Sequence, residues 1–367
     1  MSLVVVHTPD VVGERMAGPG IRALHLARQL ARHATVALIA KFENASEEAG
    51  VSFVQHGSSS AANALKDARI LIGQPARGFR KTHRDQRVVF DLFDPTVLEL
   101  RELYGSAPSL RQRVHLGAEW GRLAFALMTA DLLMCAAPKQ RAFYRQLQAN
   151  DAPWIEVPFG LDLADSLTCP QPQDNIIVWG GGVWEWLDPA TAIDAVQRLN
   201  REGLHCSLLF MGRQRPNDVL VDRRRDDRFT QLLARGGPHV FANAGWVPYR
   251  ERLSWLRSGK IAIMLHRQTA EAEYSIRTRL FDAIAAGVPV VATKGGFAAE
   301  LVEQEQLGLV VPPGDTGAVA NAIRRLLTDD VLYARSVERL ERVRPRFAWE
   351  NVTRPLTEAV NRWLKQP

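Results

Sequence analysis

Residues 274–296 read YSIRTRLFDAIAAGVPVVATKGG, a helical pattern followed by an apolar β-branched run and a glycine pair. With a helix start near Ser275 or Ile276, Arg279, Asp282, Ala283 and Ala286 recur at i, i+3, i+4 and i+7 on one face, and Leu280 and Ile284 lie beside it. The alanines let such a helix approach a backbone or a ligand closely. Arg277 and Arg279 add fixed positive charge to its positive end, which suits a diphosphate. The competing reading is local: an exposed Arg279 and Asp282 pair, worth only about 0.2–0.5 kcal/mol.

Outward from this stretch the chain alternates short apolar runs with helical patterns. LVVVHT, TVALIA, VSFVQH, ARILIG, RVVFDLF, DLLMCAA and WIEVPFGLD mark strands in the first half. NIIVWGGG, CSLLFMG, IAIML, VPVVAT and LGLVVPPGD mark them in the second. Buried strands alternating with helices predict an α/β protein with parallel sheets covered on both faces, once per half. A polar stretch at 162–174, DLADSLTCPQPQD, carries two prolines and no periodicity, as expected of a linker. The predicted domains are therefore 1–162 and 163–345, with 346–367 as an amphipathic carboxyl-terminal helix.

At 367 residues and 46% hydrophobic, the chain has length and apolar content for two cores. The formal net charge of +6 favours an anionic partner, whether a phosphorylated substrate, a lipid surface or nucleic acid. Three widely spaced cysteines, Cys135, Cys169 and Cys206, form neither a disulfide framework nor a zinc pattern and fit a reducing cytoplasm. No stretch approaches the roughly 20 apolar residues of a spanning helix, so any membrane association is expected to be peripheral.

Ligands of open α/β sheets bind beyond the carboxyl ends of strands, and three handovers from strand to helix stand out. In GERMAGPGIRALHLA, Gly18 and Gly20 precede a helix, either for close approach of an anion or simply for the turn. In VWGGGVWEWLDP, Gly181 and Gly182 belong to a stripped loop able to lie against a diphosphate. Trp184 and Trp186 there have two readings, stacking on a substrate or packing. The VWGGGVWEWLDP loop has neither the spaced dinucleotide fingerprint nor the P-loop lysine and hydroxyl pair, which argues against a nicotinamide cofactor and ATP cleavage. The third handover is the opening stretch with IMLHRQTAEAEYS before it.

The window 265–315 resembles the donor site of glycosyltransferase family 4. That family's signature is Glu, seven residues, Glu, then A-x-A-x-G-x-P-V-V-A-T, G-G-x-x-E and G-x-L-V-x-P-G-D. Its later parts appear in order as AIAAGVPVVAT from Ala283, GGFAAE from Gly295 and GLVVPPGD from Gly308. AGPGIRALHLARQL, WGGGVWEWLDP, MGRQRPN and GWVPYRERL extend the resemblance over nearly the whole chain. The resemblance implies a GT-B fold: two Rossmann-like domains facing across a cleft, with the carboxyl-terminal helix crossing back to the first. It also implies retaining transfer from a nucleoside diphosphate sugar, held by the second domain, to a glycan, lipid-linked or small-molecule acceptor at the first. No metal or other cofactor is implied.

The departures fall in the site. Asp282 stands where the second glutamate would accept hydrogen bonds from ribose hydroxyls, and Tyr274 stands at the first. Contact with the donor sugar then passes to Glu271 or Glu273, or is absent, and Glu271 is the choice here. The basic pair that usually follows the first strand of the second domain is missing, and Arg277 and Arg279 are expected to replace its charge, with Arg267 a third candidate. Their removal is expected to abolish transfer and leave the fold intact. Ser275, Gly18, Gly20, Gly181 and Gly182 complete the expected donor contacts. The histidine often found after the fifth strand is replaced in VVFDLFDP, where Asp91 is the nearest polar group. It has three readings: contact with sugar or acceptor, a helix cap, or an arginine pair.

The basic stretch RGFRKTHRDQR at 77–87 is either a solvated surface or a contact for anionic lipid headgroups or glycan. No nucleic-acid reader motif accompanies the basic charge. Two other functions share the fold: a nucleotide-sugar binder without turnover, and an epimerase or pseudoglycosyl transferase.

Overall fold

The computed structural model describes residues 3–43, 48–163, 175–212 and 223–366, with 223–226 described in backbone only. Of the expected linker only Asp162 and Leu163 fall within that description, and Cys169 lies outside it. The chain divides into two compact units. One comprises Met1–Gly160, Tyr274–Ile276 and Trp349–Pro367, and the other Leu161–Glu273 and Arg277–Ala348.

The first unit holds a seven-stranded parallel sheet of β1 (Leu3–Gly13), β2 (Thr35–Glu43), β3 (Val51–Gln55), β4 (Ile70–Gly73), β5 (Arg87–Asp91), β6 (Leu132–Cys135) and β7 (Trp154–Glu156). Its order is β3-β2-β1-β4-β5-β6-β7. The second unit holds six parallel strands, β8 (Ile176–Trp179), β9 (Ser207–Phe210), β10 (Val240–Ala242), β11 (Ile261–Met264), β12 (Val290–Thr293) and β13 (Gly308–Val311), ordered β10-β9-β8-β11-β12-β13. Each sheet grows to one side of its first strand and then to the other, which makes a topological switch point between β1 and β4 and between β8 and β11. Central strands such as ILIG at 70–73 and IAIM at 261–264 are buried at every position, so they read as continuous apolar runs.

Three local expectations are corrected. Strand β10 has only three residues, of which Phe241 is exposed, and left no periodic signal. The carboxyl-terminal segment is two helices, Trp349–Val352 and Arg354–Lys365. Pro355 sits in the first turn of the second, where its missing N–H costs nothing but a continuous helix could not pass. The decisive helix starts at Thr278, because Arg277 is extended at φ −89° and ψ 97°.

Candidate functional site

The chemistry-bearing residues of the second unit gather beyond the carboxyl ends of β8, β11 and β12. After β8 the chain turns through Gly181 at φ +70°. A Cβ on Gly182 would lie 3.0 Å from the Trp246 ring, so glycine lets the loop pass beneath that side chain. Arg279, in the first turn of the helix Thr278–Ala286, donates from Nη2 to the Gly182 carbonyl at 3.1 Å, and its guanidinium lies 5.6 Å from the Trp179 ring centre. Its Nη1 is buried and has no hydrogen-bond partner among the described residues. Burial first, then the neighbouring Arg277 charge, push its pKa down to about 9. Gly181, Gly182 and Arg279, all expected donor contacts, thus lie together, on the stripped loop and the helix tip.

Arg277 is differently placed. Its Nη1 and Nη2 donate to the two carboxylate oxygens of Glu271, each at 2.7 Å, and Glu271 is fully buried. This corrects the choice of Glu271 for sugar contact: a carboxylate without exposure and with both oxygens held by a guanidinium is a structural counter-ion. Against the expectation that Arg277 can be removed with the fold intact, its loss would leave the Glu271 carboxylate buried and uncompensated. Its Nε remains buried without a partner among the described residues.

The Arg279 and Asp282 pair is not formed. Asp282 instead accepts from Arg252 Nε at 3.0 Å. Arg252 is further fixed by its Nη1 bond to the Tyr249 carbonyl at 2.8 Å and lies over the Tyr249 ring at 3.8 Å. Arg267 is exposed, its backbone N–H bonded to the Trp186 carbonyl at 2.9 Å. Sequence reasoning missed His266, which is buried; its pKa is lowered by burial and then by Arg277. Its ring and the Glu273 carboxylate approach within 3.7 and 3.9 Å of where a Gly295 Cβ would stand. Gly295 caps the helix Gly296–Glu305 at φ +117°. The signal was present, since GG follows β12 after one residue and a histidine follows β11 after one residue.

The remaining candidates, apart from the Trp184 and Trp186 pair, lie in the first unit. Asp91 is buried and accepts from Arg22 Nε and Nη2 at 2.6 and 3.0 Å, so of its three readings the arginine pair is present. Gly20 lets the helix Gly18–Leu30 meet β1, because a Cβ would stand 2.1 Å from the Val11 carbonyl oxygen. Gly18 opens that helix. Ser275 is buried, and Tyr274 beside it stacks on Phe143 at 4.7 Å. Trp184 and Trp186 stack on each other at 5.4 Å. Among the described residues no three His, Cys, Asp or Glu side chains are grouped to hold a metal.

Residues 174–329, which include every one of the loops around Arg279, match the family model described as glycosyl transferases group 1. That match spans less than half of the chain. A stretch of 70 residues is 36% identical to probable sucrose-phosphate synthase 2 of Oryza sativa subsp. japonica, covering 19% of this chain and only 7% of that protein. Both units share the GT-B fold with solved structures. Sucrose-phosphate synthase from Thermosynechococcus elongatus is 16% identical, with 99% of both chains covered and a TM-score of 0.74. WaaG, a glycosyltransferase involved in lipopolysaccharide biosynthesis, is 15% identical, with 98% of this chain and 99% of that one covered and a TM-score of 0.70. HepE of Anabaena, solved with UDP-glucose, is 14% identical, with 99% and 100% covered and a TM-score of 0.71. Among the described residues no helix is long and apolar enough to cross a membrane.

Proposed function

We propose that this chain is a retaining glycosyltransferase of family 4 that moves a hexosyl group from a nucleoside diphosphate sugar to a glycan, lipid-linked or small-molecule acceptor. The observation that carries the reading is the buried, unpartnered Nη1 of Arg279 beside the 180–182 loop at the β8 and β11 switch point. A guanidinium in that state lacks an anion, and diphosphate oxygens supply two acceptors at the right scale. Arg277 adds charge while held by Glu271. Asp282, held by Arg252, takes the ribose contact that the resemblance implies, and Glu273 beside Gly295 takes the sugar contact first assigned to Glu271.

In the reaction the bond from the anomeric carbon to the β-phosphate oxygen breaks with both electrons passing to the phosphate. The acceptor oxygen bonds to the same face, and its proton goes to that phosphate oxygen. Arg279 stabilises the growing phosphate charge where water is excluded. A UDP-sugar is the first donor to test, since HepE is solved with one. Thermal shift with UDP, GDP and ADP, followed by proton NMR of the product anomer, checks the proposal. An inverted anomer overturns retention, and no stabilisation by any diphosphate overturns the site. Binding without release of nucleotide favours the reading in which turnover is lost, to which the Tyr274 departure and the sealed Glu271 point.

A further inference from the structure

The helix Leu110–Thr129 in the first unit is apolar on two opposite sides. Leu123, Ala126 and Leu127 are buried against the sheet. On the solvent side Leu110, Val114, Met128 and Phe125 are 78%, 65%, 60% and 41% exposed. Gly117 and Gly121 lie between them, and a Cβ on either would meet nothing. At 100° per residue the stripe 110, 114, 117, 121, 125 and 128 is one continuous face with no charged residue in it. A surface helix ordinarily turns polar residues to water, and an exposed apolar stripe of this kind marks an interaction surface.

Charge decides the partner. Arg113 flanks the stripe on one side, and Arg111 and Arg122 on the other. The helix's acidic residue, Glu119, is on the far face, bound to Arg122 and His115. At the carboxyl end of the helix, Asp131 anchors the basic 77–87 stretch through Lys81 at 2.7 Å and Arg87 at 3.3 Å. Arg77, Arg80 and Arg84 in that stretch are exposed. A second copy laid on this face would set arginines against arginines or against that basic stretch. An anionic bilayer meets both features, with headgroups for the arginines and the acyl boundary for Leu110, Val114, Phe125 and Met128.

We propose that this face docks the protein on anionic lipid, independently of the donor chemistry. The test is co-sedimentation of the full chain with vesicles of phosphatidylcholine alone and of phosphatidylcholine with phosphatidylglycerol. The expected result is partition to the anionic vesicles that weakens with salt and is lost in the Val114→Ser, Met128→Ser double variant. Replacing Arg111 and Arg113 with Ser should weaken it roughly 20- to 30-fold. These side chains are exposed, so urea midpoints should match the unaltered protein and separate docking from folding. Absence of partition, or equal partition of the variants, overturns the proposal. So does a concentration-dependent dimer, seen by analytical ultracentrifugation without vesicle binding, that the double variant dissolves.

Discussion

Arg22 and Arg279 each sit in the helix-side layer of one unit near a switch point, and their surroundings are opposite. Arg22 makes four hydrogen bonds: two to Asp91, and from Nη1 to the Val157 and Pro158 carbonyls at 2.9 and 3.1 Å. Its neighbourhood is rich in carboxyls, with Asp10, Asp91 and Asp94 coupled electrostatically around it. Arg279 makes one bond to a carbonyl, stands beside Arg277 and retains a buried nitrogen without a partner among the described residues. One guanidinium is a finished piece of architecture. The other is finished, in our reading, by a diphosphate.

The contrast breaks first on stability. Replacing Arg22 with Met leaves Asp91 buried and uncompensated, a cost of about 3–5 kcal/mol; a urea midpoint that does not fall removes the distinction. Replacing Arg277 with Ala strands Glu271 in the same way and should lower stability by a similar about 3–5 kcal/mol while also weakening nucleotide binding. Replacing Arg279 with Ala should change stability by less than about 1 kcal/mol, because it removes an unsatisfied donor together with one bond. Turnover should nonetheless fall roughly 100- to 1,000-fold, about 2.7–4 kcal/mol of transition-state stabilisation. Full turnover in that variant would place the leaving group elsewhere.

The fold was legible because both halves write their central strands as uninterrupted Val, Ile and Leu runs, and because the motif from Ala283 to Asp315 spans helix, strand, helix and strand in fixed order. The site was legible as a set of elements and less so as partners. Whether Glu271 faces a ligand or Arg277 depends on an extended turn at Arg277 that no periodicity encodes. Asp282 found Arg252, thirty positions upstream on a neighbouring helix, before it could find Arg279. His266 and Gly295 meet only because β11 and β12 are adjacent, and adjacency belongs to topology. The exposed face of the helix at 110–129 was hidden for a related reason, since a helix apolar on two sides looks in sequence like one that is simply buried.

The smallest effect tests how the first unit handles its surplus of carboxyls. Burial first, then Asp10 and Asp91, raise the Asp94 pKa to about 8, against the lowering influence of Arg22 and of a Gln74 hydrogen bond. Its folded pKa lies above the unfolded value, so the folded state binds more protons, and its contribution is complete below about 4 and is lost as pH rises to about 8. His7 runs the other way. Burial and then His56 lower its pKa from 6.5 to about 4, so its contribution is complete above 6.5 and is lost as pH falls toward about 4. Between about 4 and 6.5 the two slopes oppose and largely cancel; between 6.5 and about 8 Asp94 acts without His7. Urea unfolding across that upper window should therefore show stability declining by at most about 1.4 kcal/mol per pH unit, less what solvent screening removes. Asp94→Asn should flatten the decline while leaving the donor site's affinity for nucleotide unchanged. A slope that survives the substitution would assign the proton to another group and leave Asp94 charged, and the surplus around Arg22 would then be carried by solvent.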